Sequence, residues 1–252
     1  MRIALELSGH MRSYYDNVCA GSLMGFINRN SNDTFDIFIS TYNQAGFWAE
    51  NGSETKYGVD NLGKNYELSE LEKDIINIYN PKAYEIENFD DVIDSFFVLA
   101  DKILDKNKTK QRYGPKQNNV GQLYKIHRVS KLRREYEEKN NFKYDLVIRA
   151  RPDTRIYAFD YLAPESGYIQ SRLYRNHLGY LLFNDTMFCG TSDDMFKLTN
   201  IYNDLEDLCD KKEIIFDPHD ILKNATEYYD LKVKDIVLNI GVHNTPNGYC
   251  QK

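Results

Sequence analysis

The ten residues from Tyr144 to Asp153, Tyr-Asp-Leu-Val-Ile-Arg-Ala-Arg-Pro-Asp, constrain the fold more than any other stretch of the chain. Leu146, Val147 and Ile148 form the short apolar run of an interior strand. No turn residue separates that run from Arg149, Arg151 and Asp153. Pro152 removes a ladder donor and holds the residue before it extended, so the strand stops there with Asp153 at its mouth. Strand alternation predicts that Arg149, Arg151 and Asp153 share one face. Charges at the end of a core strand are costly to bury without a partner. This group suits a diphosphate and its divalent ion, and it also suits a structural Arg–Asp ion pair that closes the sheet.

Strand and helix patterns alternate around this segment, which predicts an α/β sheet. Strands are expected at Ile3–Leu7, Phe35–Ser40, Ala83–Ile86, Tyr168–Gln170, Thr186–Cys189 and Lys232–Leu238. Helices are expected at Arg12–Asn30, Leu68–Tyr79, Val92–Leu104, Val120–Tyr136 and Asp193–Leu208, with another opened by Asp217-Pro218. There is no internal repeat and no low-complexity linker, so residues 1–252 are read as one domain. Two stretches lack periodicity: Asn43–Asn65, which holds Trp48, and the basic run Asp105–Gln117. The first has the length of a functional or mobile loop. The second is either a solvated basic loop or a phosphate-closing lid.

A formal net charge of -6 provides no global cationic field and argues against a general nucleic-acid binder. An anionic ligand would then need a local cationic pocket, which fits a small phosphorylated metabolite. Cys19, Cys189, Cys209 and Cys250 are scattered, as expected of reduced thiols in a cytoplasmic protein without a zinc site. The apolar run at the N-terminus is too short for a signal peptide, and no stretch approaches a membrane span. The abundance of Tyr, Asn, Lys and Ile is that of an AT-rich microbial or viral genome.

Ligands of open α/β sheets sit beyond the carboxyl ends of the strands. The turn Ser8-Gly9-His10-Met11-Arg12 joins the first strand to a helix. Gly9 allows close backbone approach there, and Arg12 begins a helix whose N-terminus attracts phosphate. Thr41 and Tyr42 end the second strand, where a hydroxyl or the ring can meet a nucleoside. Asp185 stands before an apolar strand, as general base for an acceptor hydroxyl or as a turn residue. His243, in a C-terminal loop, is a candidate metal or phosphate contact, or simply exposed. His127 reads as packed, and His177 and His219 as surface residues. Cys189 lies in an apolar strand with no evident base, which disfavours a cysteine nucleophile. No Gly-x-Ser-x-Gly, phosphate-loop or His-Glu-x-x-His motif occurs.

Five segments in order carry a resemblance: the first strand running into Gly-x-x-Arg, Asp36–Asn43 (DIFISTYN), Gln122–Leu132 (QLYKIHRVSKL), Tyr144–Asp153 and Asn184–Phe196 (NDTMFCGTSDDMF). Together they resemble a group of glycosyltransferases found in microbial polysaccharide clusters and large viruses, related to the GT-A fold. The resemblance implies a Rossmann-like, mixed but mostly parallel sheet flanked by helices and holding a nucleotide-diphosphate sugar. It implies Mn²⁺ or Mg²⁺ on Asp153, with His243 as a further ligand. GT-A enzymes carry Asp-x-Asp at this place, whereas here Arg151 stands where the other acid would be, so the arginines can neutralise the diphosphate instead. On this reading Gly9, His10, Arg12, Thr41, Tyr42, Arg149, Arg151 and Asp153 bind the donor, and Arg151 and Asp185 act in catalysis on a glycan or other hydroxyl acceptor. A sugar nucleotidyltransferase and a non-catalytic nucleotide- or glycan-binding module are the alternatives.

Overall fold

A computed structural model describes residues 1–11, 17–44, 66–107, 110–111, 116–175, 179, 181–242 and 249–250. The first half runs β1 (Arg2–Ser8), α1 (Asn17–Arg29), β2 (Thr34–Tyr42), α2 (Leu68–Tyr79), β3 (Ala83–Glu87), α3 (Phe89–Asn107), β4 (Lys110–Gln111) and α4 (Lys116–Asn140). Next come β5 (Leu146–Ala150), β6 (Thr154–Phe159), β7 (Tyr168–Ser171), β8 (Leu173–Arg175), β9 (Leu181–Phe183) and β10 (Met187–Gly190). The chain closes with α5 (Ser192–Thr199), α6 (Leu205–Lys211), β11 (Ile215–Phe216), α7 (Pro218–Tyr228), β12 (Lys232–Asp235), β13 (Leu238–Val242) and β14 (Tyr249–Cys250).

Seven strands form the central sheet in the order β12-β7-β10-β5-β1-β2-β3. The block β5-β1-β2-β3 is parallel, and β12 is parallel to β7. Strand β10 runs antiparallel to both its neighbours, β5 and β7. The sheet is thus mixed and mostly parallel, and it is flanked by helices. Its central strands are apolar on both faces because both faces are covered. Ala4, Phe38, Val147 and Phe188 pack under Val120, Leu123, Ile126 and Val129 of α4. Ile3, Leu5, Ile37, Leu146 and Ile148 face Leu23 and Phe26 of α1 and Leu71 and Ile75 of α2. Ile156, Phe159, Leu238 and Ile240, from the small sheet β14-β13-β6, complete that second layer. Among the described residues no helix is long and apolar enough to cross a membrane.

Helix α2 has the bounds its periodicity predicts, closed by Asn80 in the left-handed region ahead of Pro81. Two expectations are corrected and a third is extended. The helix predicted over Asp193–Leu208 is broken by a 3-10 turn at Asn200–Tyr202. There the Asn200 and Asn203 side chains bond locally, Asn200 to Asp204 at 2.9 Å, and compete with the helical ladder. The strand predicted at Lys232–Leu238 is two, β12 and β13, in different sheets. Pro152 does end β5, but the chain re-enters β-structure at Thr154 as β6, paired with β13.

Gly190 shows how tightly the sheet edge of α5 is packed. A Cβ there would lie 2.9 Å from Ile169 Cδ1 and 3.2 Å from the Tyr168 carbonyl. We expect Gly190→Ala to destabilise the protein by about 1–3 kcal/mol through overpacking. A urea denaturation midpoint equal to wild type would contradict this packing.

Candidate functional site

The parallel registers bring the carboxyl ends of β5, β1 and β2 side by side, with Ala150 opposite Leu7 and Ser8 opposite Ser40. Gly9 leaves β1 at φ 119°, a conformation that requires glycine. Its N–H donates to the Ser40 carbonyl at 3.2 Å, and its carbonyl accepts the Thr41 hydroxyl at 2.7 Å. His10 Nδ1 lies 2.9 Å from the Gln44 carbonyl, an acceptor, so this nitrogen carries the proton. The His10 ring packs against Tyr42 and Phe89, with centroids 4.9 and 5.0 Å apart.

Thr41 and Tyr42 are buried. The Tyr42 hydroxyl donates to the Gly121 carbonyl of α4 at 3.0 Å, and the Lys125 ammonium sits 4.5 Å from its ring centroid. Burial raises the Tyr42 pKa well above its ordinary value. The sequence reading sets these two residues against a ligand, as a hydroxyl and a ring for a nucleoside. Their polar groups are spent on fastening the Gly9 turn and α4, and their side chains are enclosed. Arg12 and His243 lie outside the described residues, as do His177 and most of the two loops that the sequence suggested as covers.

Arg149 is also enclosed, with no exposed surface. Its Nε donates to Ser8 Oγ at 2.8 Å, Nη2 to the Ser8 carbonyl at 3.1 Å, and Nη1 to the Asp185 carbonyl. Burial pushes its guanidinium down to about 10, against the opposing pull of Asp185. This arginine, expected from the sequence to bind the donor, ties the end of β1 to the turn before β10.

Arg151 differs, because its side chain keeps 19% exposure. It grips Asp153 with two bonds, Nε to Oδ1 at 2.9 Å and Nη2 to Oδ2 at 2.7 Å. Its backbone N–H donates to the Thr186 carbonyl at 3.0 Å, which seats the Asn184–Thr186 turn against the end of β5. Burial works against the guanidinium charge, but Asp153 and Asp185 outweigh it and raise its pKa.

Asp185 is the centre of this turn. Its Oδ2 accepts from Gln122 Nε2 at 2.6 Å, and its Oδ1 lies 3.1 Å from His219 Nδ1. Burial pushes its pKa up, yet His219, Arg151, Gln122 and Arg149 together hold it below the ordinary 3.8. The carboxylate therefore stays ionised although the residue is 4% exposed. Neither Gln122 nor His219 stood out in the sequence. His219 reaches Asp185 because Asp217 caps α7 and Pro218 opens it, which presents the helix's first turn to the Phe183–Asp185 segment.

A second buried group continues inward beneath α4. Arg133 donates to Glu6 Oε1 at 2.7 Å, Glu137 Oε2 at 2.7 Å and Ser192 Oγ at 2.6 Å. Arg149 lies beside Glu6 in the strand register and interacts with it electrostatically. Glu137, Arg133, Glu6, Arg149, Asp185, Arg151 and Asp153 thus alternate in sign from the middle of the sheet to its mouth.

The donor set does not fit a divalent ion. Both Asp153 oxygens are bound by Arg151, whose charge repels a cation, and both Asp185 oxygens face N–H donors. Among the described residues no three His, Cys, Asp or Glu side chains converge as metal ligands. The free cysteines Cys19, Cys189 and Cys209 are buried, and burial pushes the Cys209 thiol up to about 12.

No family model matches the chain, and no curated protein matches it. Solved structures do match, among them mouse Xyloside xylosyltransferase 1 in its apo form. That alignment covers 94% of this chain and 85% of that chain at 8% identity, with a TM-score of 0.44. A likeness of that size speaks to neither activity nor site residues.

Proposed function

We propose that the chain is a glycosyltransferase that moves a sugar from a nucleotide-diphosphate donor to a hydroxyl of a glycan or other acceptor. The observation that carries this reading is the juxtaposition of Asp185 and Arg151. A nearly closed carboxylate held ionised is set against a partly exposed guanidinium at the carboxyl ends of parallel strands. Such a pair divides the chemistry of transfer into its two halves. Arg151 meets the charge that develops on the departing diphosphate, the electrostatic contribution that dominates reactions of this kind. The Asp185 side of the cluster takes up the proton of the attacking hydroxyl. Gly9 lets the backbone approach the phosphates, beside His10, while Asp153 aims Arg151 and Arg149 holds the turn in place. No step runs through a metal ion.

One observation favours a second reading, a non-catalytic binding module. The Arg151–Asp153 pair is bidentate and closes on itself, as a purely structural ion pair does. A thermal-shift panel of UDP-, GDP- and dTDP-sugars separates the possibilities. The transferase reading expects stabilisation by at least one donor, on the order of 2–3 kcal/mol at one hundred times its Kd. It expects the same shift with Mn²⁺ and with chelator, and a smaller one in Arg151→Ala. No shift with any nucleotide sugar, in either condition, would reject the reading. A shift abolished by chelator would restore the metal.

A further inference from the structure

His219 joins the strand-end cluster through one corner of its ring and is open on the other side. Its Nδ1 lies 2.8 Å from the Phe183 carbonyl and 3.1 Å from Asp185 Oδ1. Both are acceptors, so Nδ1 carries a proton and donates. The Tyr174 hydroxyl, 3.2 Å away, then accepts or flanks that same N–H, and the Tyr174 ring meets the imidazole edge-on at 5.7 Å. Three contacts thus hold one corner of the ring, while the Asp185 backbone N–H, 3.4 Å from Nδ1, is a donor and suits only the opposite tautomer. Nε2, at the other end of the ring, makes no hydrogen bond to a described residue, and the side chain keeps 28% exposure. A histidine that only anchors a helix needs no carboxylate behind it and no bare nitrogen in front.

We propose that His219 is the general base of the transfer, with Asp185 as its positioning residue; this deepens the glycosyltransferase reading and rests on it. The acceptor oxygen forms a bond to the anomeric carbon as the anomeric carbon–phosphate oxygen bond breaks. The electron pair of the broken bond leaves with the nucleoside diphosphate. The hydroxyl proton passes to His219 Nε2, and the imidazolium so formed is stabilised by Asp185 through Nδ1–H. Release of that proton to solvent restores the starting state. Asp185 keeps the ring from rotating and keeps Nε2 basic, while Gln122 holds the second carboxylate oxygen. Arg151 and Arg149 also interact electrostatically with the Asp185 carboxylate, so the positive charge on His219 forms against a carboxylate already shared with them.

Two measurements on the 252-residue chain test this. In the first, ¹⁵N NMR of histidine-labelled protein reads the tautomer of His219. The proposal expects Nδ1 protonated and Nε2 bare when the ring is neutral, a preference weakened in Asp185→Asn. Protonation at Nε2 in the neutral ring would overturn it, whatever the protein's substrate. In the second, hydrolysis of a UDP-, GDP- or dTDP-sugar is followed in wild type and His219→Ala, with water as acceptor. His219→Ala is expected to lower kcat by about 10²–10⁴-fold. The donor-induced thermal shift should persist, and added imidazole should restore part of the rate. A rate within about threefold of wild type, or a loss with no imidazole rescue and no remaining donor shift, would overturn the base role. If wild type itself neither binds nor hydrolyses any of these donors, the transferase reading fails and the base role fails with it. A wild type that turns over while His219→Ala does so equally well removes the base role alone.

Discussion

Replacing Arg133 by alanine is expected to destabilise the protein by about 3–5 kcal/mol, because it leaves two enclosed carboxylates without their cation. Glu6 has no exposed surface and Glu137 has 1%. Arg133 donates to both, and also to Ser130 Oγ at 3.1 Å and the Ser192 carbonyl at 3.3 Å. For a chain of this size the loss corresponds to a fall in Tm of about 6–20 °C. A loss below about 1 kcal/mol by chemical denaturation would mean that water or a rearranged partner reaches the network. Glu6→Gln is the informative companion. Burial raises the Glu6 pKa above its ordinary 4.5, although Arg133 pulls it down, and its Oε2 has no hydrogen-bond partner among the described residues. A carboxyl with a raised folded-state pKa binds its proton more tightly in the native state, so its contribution to stability falls as pH rises from 4.5 through the raised value. Glu6→Gln should remove that pH dependence and leave stability at neutral pH undiminished.

The second large effect concerns activity. Asp185→Asn should lower turnover of the donor by about 10²–10⁴-fold while changing the fold little. An asparagine can present Oδ1 to His219 Nδ1–H and its amide nitrogen toward Gln122, whose own amide can turn to offer an oxygen. The shape of the cluster is then kept and its negative charge is lost, which isolates the electrostatic role. Turnover within about threefold of wild type would show that the ionised carboxylate has no part in the reaction.

Much of the frame was legible because apolar runs of strand length leave few choices. Strands β1, β2 and β5 and helix α2 lie where their patterns place them. Strand β6 lies beyond the stop that Pro152 signals, although the buried Thr154 and Ile156 flank the half-buried Arg155 in a strand's alternation. The candidate site was legible only in part, through its strand-end residues. Arg151, Asp153 and Asp185 stand next to apolar runs and come together, whereas Thr41, Tyr42 and Arg149, read by the same rule, turn inward. Sequence alternation tells which face a residue occupies and says nothing of whether that face is roofed. Here α4 is the roof. Arg133 and Glu137 on it have the i, i+4 spacing of an ordinary solvent-exposed pair, and only the partner Glu6, 127 positions from Arg133 in the chain, makes the pair internal. His219 was hidden for a similar reason. Its value depends on α7 docking its first turn on a segment 34 residues away, which no local pattern records.

Release of nucleoside diphosphate reports on sugar transfer itself. Purified protein would be incubated with UDP-, GDP- and dTDP-sugars in turn, with chelator present, and the free nucleoside diphosphate measured over time. Release from at least one donor is expected, strongly reduced in Asp185→Asn, with Arg151→Ala lowering kcat/KM. Release from none of them, or equal release by wild type and Asp185→Asn, would contradict it.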